Sequence, residues 1–123
     1  MSTTHEVFNQ PVPLADVNLF QTHRAMQAAL AFNAPGADTS ALSRLGALTG
    51  SAAHQTHARL ANVHTPQLKT HSRFGHRIDQ VEFHPSYHAL MEAAVGAGLH
   101  GAAWGEGAPH AHLMRAAGFM LFT

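Results

Sequence analysis

The chain has 123 residues with seven basic and seven acidic side chains, so its formal net charge at neutral pH is zero. Charged residues make up 11% of it, against about a quarter in ordinary globular proteins, whereas the 46% apolar fraction is typical. This balance excludes a nucleic-acid module that works by bulk phosphate neutralisation, and the absence of cysteine excludes disulfides and thiolate metal sites.

The length suits one domain with a real core. Zero net charge gives little repulsion between copies, so self-association or docking to more protein is expected. Met1 to Glu6 show no basic region followed by an apolar run, and no stretch approaches the ~20 apolar residues of a membrane helix. The expectation is a soluble cytoplasmic protein with no membrane partner. Twelve histidines are the unusual feature; they gain charge as pH falls through about 6.5.

Residues 1–20 read as an extended arm, because Pro11 and Pro13 push the residues before them toward extended geometry. Val7, Phe8, Val12, Leu14, Leu19 and Phe20 make the arm apolar, so it should lie against protein. Thr22 is an N-cap candidate for a first helix running to Phe32, with Met26, Ala29 and Leu30 on one face. Asn33-Ala34-Pro35-Gly36 breaks it. Asp38 or Thr39 caps a second helix through Leu42, Leu45 and Leu48, which Gly50 ends. Ser51 caps a third, running to His64, with Ala53, Thr56, His57, Leu60 and Ala61 near one stripe.

Leu68 to His71 and Ile78 to Phe83 flank Ser72-Arg73-Phe74-Gly75 and read as a short hairpin or an irregular extended loop. Pro85 opens a further helix at its first position, with Tyr87, Leu90, Met91, Ala94 and Val95 as its apolar face. Gly96, Gly98 and Gly101 weaken its far end, and residues 101–109 form a loop with Trp104 as the single large anchor. A last helix starts at Pro109 and carries Leu113, Met114, Ala117, Met120 and Leu121. Gly118 to Phe122 is an apolar run without a C-cap, so the helix is expected to continue or to be covered by something else.

The sequence offers chemistry only in weak constellations. His84 and His88 have metal-ligand spacing but no third ligand nearby, so hydrogen bonding is the better reading. His54 with His57, and His110 with His112, read as solvated. Glu82 and Glu92 lie too far apart in the chain for an acid–base pair to be argued, and Glu106 has no evident partner. Gly96-x-Gly98-x-x-Gly101 copies a dinucleotide fingerprint but follows a helix instead of a strand. Ser43, Ser51 and Ser86 suit helix starts or the surface better than nucleophilic roles. Lys69, Arg73 and Arg77, with His71 and His76, form the single basic cluster, and a solvated loop is the favoured reading.

Several blocks in order resemble AidB-type acyl-CoA dehydrogenases. Thr4-His5-Glu6-Val7-Phe8-Asn9-Gln10-Pro11 is similar to that family's opening signature, and Asn18-Leu19-Phe20 to its next block. Leu45-Gly46 and Arg59-Leu60-Ala61-Asn62 fit the helices that follow. The most specific block runs from Gly75-His76-Arg77-Ile78-Asp79 through Val81-Glu82-Phe83-His84-Pro85 to Tyr87-His88. Departures are the stretch Asn33–Asp38 and the histidines at 54, 57, 71, 76, 110 and 112.

The resemblance implies a mainly α fold. It would be the helical N-terminal domain of the acyl-CoA dehydrogenase type, incomplete, with an arm at 1–20 and a partial helical domain at 21–123. Full-length members of the family are oxidoreductases acting on CH–CH groups. They bind FAD, assemble as homotetramers and are linked to the DNA alkylation response. The flavin-binding, catalytic and DNA-facing segments fall outside residues 1–123, so the resemblance carries over no catalytic, cofactor-binding or metal residue. No FAD is expected on this chain alone, and its expected partner is the remainder of the fold. The alternative, from a different class, is a freestanding His-rich helical binding or interaction module.

Overall fold

The computed structural model describes residues 8–105 and 107–122. They form α1 (Leu19–Thr22), α2 (Arg24–Asn33), α3 (Ser40–Thr49), α4 (Ala52–Val63), β1 (Gln67–His71), β2 (Arg77–Glu82), α5 (Pro85–Gly96) and α6 (Ala111–Phe122). A single 3-10 turn, Ala102–Trp104, precedes α6. The expected mainly α fold is thus present. Thr4 to Val7 of the opening motif and Glu106 lie outside the described residues.

Helix starts account for most departures from the sequence reading. The first helix is not one rod capped by Thr22. Asn18 Oδ1 accepts from the Phe20 and Gln21 amides, both at 3.1 Å, and so starts α1 two residues inside the expected arm. The chain then bends at His23 (φ −89°, ψ 76°), whose Nδ1 accepts the Met26 amide at 3.2 Å and restarts the helix as α2. Before α3 the capping carboxylate is Asp38, which accepts the Ser40 amide at 2.8 Å, while Thr39 makes no side-chain cap bond. Ser51 caps α4 as expected, accepting the His54 amide at 3.2 Å. His84 caps α5 with Pro85 in the first turn.

Two family-like blocks meet in space. Asn18 Nδ2 donates to the Ser43 carbonyl at 2.9 Å. Phe20 lies on α3 where Gly46 stands, and a Cβ at Gly46 would come within 2.5 Å of the Phe20 nitrogen. Residues 14–18 are bound to the α3–α4 junction. The Asp16 amide donates to the Gly50 carbonyl at 2.7 Å, Asp16 Oδ1 accepts the Ala52 amide at 2.9 Å, and Gln55 Nε2 donates to the Leu14 carbonyl at 2.8 Å. The apolar side chains before this clamp, Phe8, Val12 and Leu14, are exposed.

The core is one cluster of Phe20, Met26, Leu30, Leu42, Leu45, Leu99, Ala117 and Leu121, which joins α1, α2, α3 and α6. The α4–α5 pair forms a second seam, joined to this core through Ala94 and Phe122. Here the expected stripe on α4 is rotated: Ala53 and Thr56 are exposed, and the buried residue is His54. On α5, Met91 and Val95 are exposed while Tyr87, Leu90 and Ala94 are half-buried.

The last helix begins at Ala111, two residues later than expected, after His110 adopts φ 61°. Its apolar end divides. Leu121 is buried and Phe122 packs against the core, but Met120 is 61% exposed. Trp104 does not anchor the core; it is 65% exposed.

Residues 67–82 form the hairpin of the two readings left open by the sequence. β1 and β2 pair antiparallel, Leu68 opposite Val81, with an irregularity between Lys69 and His71. Asp79 sits there at φ 44°, consistent with a bulge. Every residue of both strands is exposed.

Candidate functional site

A groove of about 580 Å³ lies between α3, the end of α5, the 3-10 turn and α6. Small side chains make it: Ala93, Gly96, Ala97, Gly98, Ala102 and Gly118 leave space that larger residues would fill. Leu42, Leu45, Leu99 and Met114 form its apolar floor, and Asp38, Arg44 and Arg115 supply its charge. The alanines and glycines between Ala93 and Ala102 therefore wall a cleft.

Arg115 is already committed. Its Nε donates to the Leu99 carbonyl, and its guanidinium lies over the Trp104 ring at 4.5 Å and the Phe119 ring at 4.7 Å. This explains how Trp104 is held while exposed: it stacks on a cation at the rim, with His112 edge-on at 5.1 Å. Asp38 is held below the usual carboxylate range by hydrogen bonds from the Ser40 backbone and hydroxyl, with Arg44 contributing less.

Gly96, Gly98 and Gly101 are the C-terminal end of α5 and the turns after it, not a phosphate cradle. Gly98 takes φ 72°, and a Cβ there would meet the Ala102 Cβ at 2.8 Å. They follow α5 directly instead of a strand, so the dinucleotide reading fails on topology as well as on sequence.

The histidines divide differently from expectation. His54 is buried rather than solvated, edge-on to Phe122 at 5.2 Å. Burial holds its imidazole below the ordinary histidine range, and the nearby His57 adds to this. His84 makes the structural hydrogen bond expected of it, its Nδ1 accepting the Ser86 amide at 3.1 Å. Its ring stacks on His64 at 4.7 Å and 13°. His88 instead lies edge-on to Phe83 and Tyr87, so His84 and His88 do not converge. Among the described residues, no three His, Asp or Glu side chains are grouped to hold a metal ion.

One pairing had no signal in the sequence. His57 Nδ1 lies 3.1 Å from Ser86 Oγ, 29 residues apart, in the geometry of a nucleophile and its base. Ser86 is 2% exposed, however. A carbonyl substrate has no path to its oxygen, and the pair acts as a buried polar stitch between α4 and α5.

The basic cluster is largely neutralised. Lys69 pairs with Glu82 across the strands at 2.5 Å, and Arg77 with Asp79 at 2.6 Å. Arg73 lies over the exposed Phe74 ring at 4.8 Å.

Comparison with known proteins adds three findings. The family model "Adaptive response protein AidB N-terminal domain" matches residues 9–123. The chain is 41% identical over 119 residues to the Escherichia coli (strain K12) protein named "Putative acyl-CoA dehydrogenase AidB", covering 96% of this chain but 22% of that protein. The solved structure titled "Bd2924 apo-form" superposes with a TM-score of 0.81 at 22% identity, over 94% of this chain and 24% of that one, and so shares its fold. Among the described residues no helix is long and apolar enough to cross a membrane.

Proposed function

This chain belongs to the family of AidB N-terminal domains, and on that premise we propose that it serves as the N-terminal helical segment of an acyl-CoA dehydrogenase-type flavoprotein. In that role it walls one side of the substrate cavity and supports assembly into a homotetramer. The parent protein would be a cytoplasmic oxidoreductase of CH–CH groups linked to the DNA alkylation response. The chain spans about a fifth of the length of its curated relative, 22%, so activity, flavin and partners belong to the proposal for the whole protein.

The observation that carries this reading is the groove. It is floored by leucines, walled by alanines and glycines, and continuous with the core through Leu42, Leu45 and Leu99. Such a surface is built to be covered by apolar protein or to border an acyl chain.

The residues present do not fit FAD. A flavin needs converging donors for its pyrophosphate and ring heteroatoms. Here the charged groups at the groove are Asp38, already bonded to Ser40, Arg115, spent on Leu99 and two rings, and Arg44. No catalytic step is therefore assigned to this chain.

The test is to purify the chain, incubate it with FAD, separate free flavin by gel filtration, and record the visible spectrum and acyl-CoA-dependent dye reduction. The expected result is a colourless, inactive chain. Retained yellow flavin would overturn the division of labour proposed here.

A further inference from the structure

We draw no further inference here: the strongest candidate, the leucine-floored groove between α3, the end of α5 and α6, belongs to the site already described, and nothing in the structure shows what covers it in a chain that spans 22% of its curated relative.

Discussion

At the scale of single residues, small side chains and imidazoles do most of the positioning. Gly50 has ordinary helical φ, so its need for glycine is steric: a Cβ there would lie 1.8 Å from the Val17 carbonyl oxygen. Gly50→Ala should therefore push the arm off the α3–α4 junction and cost about 3 kcal/mol, the upper end of ordinary overpacking, measured by urea unfolding.

His54 makes a pH prediction with a definite sign. Burial lowers its folded-state pKa below the ordinary 6.5. Its contribution is thus fully present above 6.5 and is lost as pH falls through the lower folded-state value, since the unfolded chain binds the proton more readily. His54→Phe, which keeps a ring against Phe122, should flatten the midpoint of thermal unfolding between neutral pH and pH ~5 relative to wild type. An equally steep loss in the variant would remove His54 as a source of acid sensitivity.

At the scale of elements, α3 is the hub. Leu42 and Leu45 lie in the one buried cluster, and Gly46 and Gly50 on the same helix receive α1 and the arm. α6 reaches α3 through Ala117 and Leu121, and Gly118 lets Leu99 sit close, since a Cβ there would be 2.6 Å from Leu99 Cδ2. Leu45→Ala should cost about 3 kcal/mol, in the usual range for a buried leucine, and should loosen α6 together with α3 in hydrogen exchange. Loss confined to α3 would show that α6 is held elsewhere. The hairpin contributes nothing comparable. Its ion pairs, Lys69–Glu82 and Arg77–Asp79, are solvent-exposed and worth little.

At the scale of the whole molecule, apolar surface dominates behaviour. Phe32, Val63, Phe74, Trp104 and Met120 are all more than half exposed, and the formal net charge is zero. The chain by itself should self-associate. Met120→Lys, at a position 61% exposed, should raise the soluble fraction in a sedimentation assay while changing unfolding free energy by no more than about 0.5 kcal/mol. Unchanged solubility would place the sticky surface elsewhere, with the groove wall at Ala97 the next position to charge.

The sequence by itself determined where α2 ends and where α4 and α5 begin, because breakers and caps are local: Pro35-Gly36, Ser51 and Pro85 act within one turn of chain. It also determined the family, through short blocks whose order needs no coordinates. Only the tertiary structure decided what those blocks do. Asn18 and Gly46 are 28 positions apart in sequence, and their partnership exists only once α1 lies on α3. The same holds for the buried state of His54, the Ser86–His57 stitch and the His64–His84 stack. An imidazole is polar, aromatic and apolar-bodied at once, so its local sequence cannot say whether it faces water or a core. Packing between distant helices makes that choice, and with it the chemistry each histidine can perform.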